Sequence, residues 1–122
     1  MRKYKNCKIT VNGMTFDSRR EYNRYKELFL LERAGKIREL ERQKKYILIP
    51  AMYETFERYG KNGQRLKDGR RCIEKECAYY ADFAYIKDGE IIVEDAKGVR
   101  TKDYIIKRKL MLFIHGIRIK EV

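Results

Sequence analysis

Tryptophan is missing from this chain of 122 residues, proline and histidine occur once each, and cysteine three times. Each shortage removes a class of explanation. Cys7, Cys72 and Cys77 form no C-x-x-C pair and leave one thiol over, so no disulfide framework is expected and a reducing, cytoplasmic setting is. Cys72 and Cys77 with the lone His115 make a poor zinc set, and no structural metal is expected from them. Apolar runs are short as well. Leu110 to Ile114, five residues, is far below the length needed to cross a bilayer. Met1 to Lys8 is basic and lacks the apolar stretch of a signal peptide. Acids are scarce: 18 stand against 30 Lys and Arg, for a net charge of +12 and a pI near 9.7. In so small a domain this excess implies a polyanionic partner, nucleic acid first and an acidic membrane surface second. A merely solvated surface is the plain alternative.

What is present is enough to fold. Hydrophobic residues make up 43% of the chain, and the 39% that are charged are spread along it rather than gathered in a tail. Residues 1–122 read as a single domain with one modest core. "KITVNGMTF" (8–16) places Ile9 and Val11 before Asn12-Gly13, a hairpin signal. Ser18 with Glu21 fits a capping box and Gly35 the position just past a helix, so a helix is expected over about 19 to 34. "KKYILIPAMY" (44–53) reads as a strand that bends or runs at an edge near Pro50. Residues 57–77 lack periodicity and contain Gly60, Gly63 and Gly69, which implies a long loop. "AYYADFAYI" (78–86) and "EIIVEDAK" (90–97) form a hairpin about Lys87-Asp88-Gly89. Thr101 can cap a helix over 102–115 whose apolar side would carry Ile105, Ile106, Leu110, Phe113 and Ile114. Gly116 ends that helix, and "IRIKEV" makes a last strand. The order after the first hairpin is helix, strand, strand, strand, helix, strand. The fold class is therefore α/β: a single mixed β-sheet with flanking helices, plus an N-terminal β-hairpin.

The stretch "IIVEDAKG" (91–98) carries the chemistry. A strand of β-branched residues ends in Glu94 and Asp95 and then Lys97, and alternation puts Asp95 and Lys97 on one side. On the adjoining strand Asp82 can lie beside Asp95. Two neighbouring carboxylates repel, which raises the proton affinity of one unless a cation sits between them. A hard divalent ion removes that cost, and Mg²⁺ or Mn²⁺ suits carboxylates plus water. Lys97 nearby could stabilise a nucleophile or a phosphate as charge develops. Two acids and a lysine in this arrangement suit phosphodiester hydrolysis; an ordinary ion pair at a turn is the alternative.

The chain resembles the PD-(D/E)XK nuclease superfamily, and within it a small phage-type group of endonucleases and Holliday-junction resolvases. The resemblance is carried by "VNGMTFDSRREYNRYKEL", "GKIRELERQ", "YYADFAY" with "IVEDAKG", and "TKDYIIKRKL" in that order, over nearly the whole chain. It implies an α-β-β-β-α-β restriction-endonuclease-like core and a Mg²⁺-dependent endodeoxyribonuclease in which Mn²⁺ can substitute. Asp82 and Asp95 would be metal ligands, joined by the Ala96 backbone carbonyl, and Lys97 the catalytic lysine. Glu21 would match the acid that many members supply from the first helix, although its place in the capping box is a competing role. Gln43 is similar to a glutamine after the first helix of related nucleases that would position water or phosphate. A hydrogen bond that orders the strand is the other reading. The chain departs from the pattern in having Ala81 where proline precedes the first aspartate, and Asp95 where glutamate is commoner.

Arg58, Lys61, Arg65, Lys67, Arg70 and Arg71 crowd the expected loop, with Asp68 opposing, and could follow phosphates as the loop orders on binding. Lys102, Lys107 and Arg108 flank the last helix and could reach a phosphate near the cut. The expected activity is a structure-selective cut in branched or duplex DNA. The alternatives are a non-enzymatic nucleic-acid-binding protein on the same fold and a monomeric nicking endonuclease. Paired cuts in a branched junction imply a homodimer, with Met14 and Phe16 of the first hairpin, or Ile117 to Ile119, as interface material.

Overall fold

Asn12 and Gly13 adopt left-handed backbone angles, φ 51° and 80°, and so form the type of turn that closes a two-residue hairpin. They join β1 (Ile9–Val11) to β2 (Met14–Phe16). The structure, a computed structural model, describes residues 7–122; Met1 to Asn6, most of the basic start read above, lie outside the described residues. Ser18 caps α1 (Arg19–Arg33) by accepting from the Glu21 N–H, and Gly35 leaves the helix at φ 75°. The chain then runs through β3 (Arg38–Ile49), β4 (Met52–Tyr59), β5 (Arg65–Glu74), β6 (Cys77–Lys87) and β7 (Glu90–Asp95). A second left-handed pair, Asp88 and Gly89, turns β6 into β7. Thr101 caps α2 (Lys102–His115), Gly116 ends it at φ 67°, and β8 is Lys120–Glu121.

Four strands form one mixed sheet in the order β3-β6-β7-β8, in which only β7 and β8 are parallel, joined by the α2 crossover. The expected α/β class, the mixed sheet, the two helices and the first hairpin are all present. Three particulars differ. Residues 57–77 are not a loop: most of them belong to the antiparallel ribbon β4–β5, which pairs with no other strand of the described residues. Both faces of the ribbon are exposed, so its sequence carries none of the apolar alternation by which a half-buried strand is recognised. The strand expected over 44–53 is the end of the longer β3, and Pro50 interrupts it. Finally, α2 turns a different side inward. Tyr104 and Met111, seven residues apart, are buried, while Ile106 and Phe113 are 57% and 87% exposed. Positions two apart stand about 200° apart around a helix, so the second pair faces away from the first.

The core has two parts. Leu28 of α1 packs with Ile37, Phe83 and Tyr85, flanked by Tyr25, Leu40 and Ile92. Tyr104 and Met111 of α2 pack with Leu48, Tyr79, Ala81, Ala84, Val93 and Ile119, flanked by Tyr46. These lists break strict alternation at one point. Leu40 lies with the α1 cluster and Tyr46 and Leu48 with the α2 cluster, although all three are even-numbered; Ala81 and Phe83 divide the same way. The switch falls at Gln43, whose φ of 51° is left-handed, and at Asp82 across from it. Such a local inversion re-aims side chains, and it occurs where the candidate site lies. No helix of the described residues is long and apolar enough to cross a membrane.

Candidate active site

β6 and β7 bring the two aspartates together. Their last pair is Phe83 with Glu94, and one step further along this register sets Asp82 opposite Asp95. Burial, and then the charge of Asp95, push the Asp82 carboxyl up to about 7. The Ala96 N–H donates to Asp82 Oδ2 at 2.8 Å, so the residue expected to offer a carbonyl also orients the aspartate through its amide. Asp95 is 2% exposed. Its Oδ2 accepts from the Tyr79 hydroxyl, while its Oδ1 is buried with no hydrogen-bond partner among the described residues. Lys97 Nζ stands 3.3 Å from that oxygen and 4.4 Å from the centre of the Tyr104 ring. The lysine is thus held between a carboxylate and an aromatic face, half-buried at the mouth of a cleft.

α1 supplies the third acid. Glu21, 2% exposed, accepts from the Asp17 N–H at 2.9 Å, one residue before the Ser18 N–H that a capping box would use. Its other oxygen accepts from Gln43 Nε2 at 3.3 Å, and the same amide stands 3.4 Å from Asp82 Oδ1. One Glu21 oxygen therefore holds the chain just before the helix, and the other faces Gln43 and Asp82. Burial raises the Glu21 carboxyl above its ordinary range. Gln43 bridges Glu21 and Asp82 because its inverted backbone turns it toward them. The cleft beside these residues encloses ≈ 480 Å³ and is lined by Asp17, Ser18, Arg20, Glu21, Asp82, Ala96 and Lys97 with Gly98, Val99 and Thr101.

Sequence reasoning missed several contributors. Arg20 lines the cleft and donates to the Lys97 carbonyl at 2.6 Å. Arg24 forks onto Glu94 with two bonds of 2.7 Å, and Tyr85 donates to the same fully buried carboxylate. Burial opposes ionisation of Glu94, but Arg24 and Tyr85 outweigh it and hold the carboxyl below its ordinary range. This clamp fastens α1, one turn beyond Glu21, to the residue before Asp95. Arg20 and Arg24 recur four apart on one face of α1, the one sequence signal that could have pointed to them.

The donor set decides which ion would fit. Among the described residues no group of three or more Asp, Glu, His or Cys side chains is arranged to enclose a metal. An all-protein cage is therefore not built here. Two facing aspartates, one of them lining a cleft, suit an ion that takes one or two carboxylates and keeps its water, as Mg²⁺ does. The described cysteines form no disulfide, and His115 Nε2 lies 2.8 Å from the Ile47 carbonyl.

The basic residues divide between two places. Arg58, Lys61, Arg65, Lys67, Arg70 and Arg71 lie on or between the strands of the β4–β5 ribbon. Lys102, Lys107 and Arg108 lie on α2, where Arg108 approaches Glu121 at 3.6 Å. Of the expected interface residues, Phe16 is fully buried against Tyr22 and Tyr25, and Ile119 belongs to the core. Neither is available to a second copy, because each is already used to close its own fold; Ile117 to Ile119, moreover, precede β8 rather than form a strand. Residues 1–118 match the model of a family described as "Protein of unknown function (DUF1064)". No curated protein and no solved structure matches the chain.

Proposed function

The chain belongs to the DUF1064 family, and we propose that it is a divalent-metal-dependent endonuclease that hydrolyses phosphodiester bonds in DNA. The observation that supports this most is the meeting of Asp82, Asp95 and Lys97, with Asp82 and Lys97 lining one cleft, Asp95 buried beside them, and the Asp82 proton affinity raised by burial and by Asp95. Asp82 and Asp95, joined by the Ala96 carbonyl, would hold Mg²⁺, for which Mn²⁺ can substitute, with Glu21 at the edge of the site. Such an ion supplies Lewis acidity toward a phosphoryl oxygen and toward water. The chain's own groups do the rest. The Lys97 ammonium, steadied by Asp95 and the Tyr104 ring, is placed to donate to a phosphoryl oxygen as charge develops there. The Gln43 amide can orient water, and Arg20 at the rim can hold a neighbouring phosphate. Hydrolysis adds water across one P–O bond, and the departing oxygen takes up a proton.

Branched DNA, and with it a homodimer making paired cuts, follows from the resemblance to resolvases. A second reading rests on the 3.3 Å Lys97–Asp95 pair, which is also what an ordinary structural ion pair would show. On that reading the fold only binds nucleic acid. Nicking of supercoiled plasmid and of a labelled junction in Mg²⁺, Mn²⁺ and EDTA separates the two. Cleavage that needs the metal is expected; binding without cleavage in either metal would leave the binding protein standing.

A further inference from the structure

β4 and β5 are the part of this molecule that its own core does least to explain. The ribbon packs Phe56 over Gly69, whose missing side chain leaves room for the ring. Almost every other residue of its strands is exposed. A two-stranded ribbon with so little buried is marginal by itself. Its cations are nonetheless held in place: Arg70 lies 3.6 Å from the Tyr53 ring centre, Arg71 4.4 Å from Phe56 and Arg65 5.7 Å from Tyr59. The acids are largely engaged. Glu54 pairs with Arg71, Asp68 with Arg65, and Glu57 accepts from the Tyr59 hydroxyl, which leaves Glu74. Arg58, Lys61, Lys67 and Arg70 have no acidic partner among the described residues.

We infer that this ribbon is a docking surface for duplex DNA lying beyond the cut. The inference rests on the nucleic-acid reading above and adds where the duplex is held and by what. A two-stranded ribbon fits the major groove, and rigid arginines with unpaired lysines meet the charge of both phosphate strands. Position follows from the strands. The ribbon leaves the sheet at Ile49 and Cys77, and Cys77 is five residues from Asp82 along β6, about 17 Å at strand rise, or roughly five base pairs. The eight residues of β4 extend this by about 27 Å, so the tip can reach some 13 base pairs from the scissile bond.

The test uses binding in EDTA, where no cleavage can occur, and the full chain with Arg58→Gln, Lys61→Gln, Lys67→Gln and Arg70→Gln combined. For the wild type, affinity should rise as duplex arms lengthen from about 5 to about 15 base pairs. The variant should lose that gain, and its slope of log K against log salt should fall by about 3.6. Equal length dependence and slope in both proteins overturn the ribbon assignment, as does tighter binding of single strands, duplex RNA or anionic vesicles than of duplex DNA. Hydroxyl-radical footprinting of the wild type needs no variant. Protection between about 5 and 13 base pairs from the cut is expected, and protection that stops short of five overturns the inference. A wild type that binds no nucleic acid at all overturns instead the reading on which it rests.

Discussion

Asp82 is the residue at which burial and charge act together, and its titration can be followed without any substrate. Its carboxyl is lifted from an ordinary value near 3.8 to about 7. A folded state that holds a proton more tightly than the unfolded chain loses stability as pH rises between those two values. Metal-free protein should therefore show a falling urea midpoint from about pH 4 to about pH 7, and Asp82→Asn should flatten that fall. Glu21, raised in the same direction, contributes with the same sign. A midpoint that rises over this window in wild-type protein would contradict the burial account. Removing a carboxylate is a sharper change. On the proposed function, Asp82→Ala or Asp95→Ala should abolish cleavage while leaving DNA binding intact or tighter, since each takes a negative charge from the site. Mutants that cut normally in Mg²⁺ would remove these residues from the site. Lys97→Ala should lower turnover by about two to three orders of magnitude with little change in metal affinity, because the ammonium acts on developing charge. Equal loss of both would make Lys97 a structural partner of Asp95.

At the scale of elements, the clamp of Arg24 on Glu94 joins α1 to β7 and so sets Glu21 against the aspartates. Glu94 is fully buried, and Arg24 is its only cationic partner within salt-bridge distance among the described residues. Arg24→Ala strands a buried carboxylate, which typically costs about 3 kcal/mol. For a domain of this size the melting temperature should fall by on the order of 10 °C. Glu94→Gln leaves both groups hydrogen-bonding capacity and should cost less. A smaller loss in Arg24→Ala than in Glu94→Gln would show that the fork does not hold the elements together. The inversion at Gln43 acts at the same scale. It divides β3 between the two helices and turns one amide toward both Glu21 and Asp82.

The described residues form one such cleft, and on the proposed function paired cuts in a two-fold junction call for two. A second copy of the chain is the expected partner. With Phe16 and Ile119 already buried, the apolar side chains left for it include Ile106 and Phe113 on the outer side of α2. Light scattering of the free protein and of its junction complex should give twice the protomer mass in at least the second state. Phe113→Ser, at a side chain 87% exposed, should lower that mass without unfolding the chain. A monomer in both states, with single nicks in a cruciform plasmid, would leave a nicking enzyme.

Local chemistry was legible wherever a few neighbouring residues decide the outcome. Asn12-Gly13 and Asp88-Gly89 turn because their backbones tolerate left-handed angles. Ser18 and Thr101 start helices because a side-chain oxygen meets a free N–H, and Gly35 and Gly116 end them. The hairpin that pairs Asp82 with Asp95, and the order of elements outside the β4–β5 ribbon, follow from those signals. What depends on a distant surface was not legible. Which side of α2 is buried was decided by the sheet it crosses, and the ribbon was missed because nothing covers it. The inversion at Gln43 escaped for a subtler reason. Burial along β3 keeps its period of two straight through it, so the pattern looks the same whether the inward side meets one helix or the other. Only the two helices packed together on the finished sheet separate those cases, and with them place Gln43, Glu21 and Asp82 around one cleft.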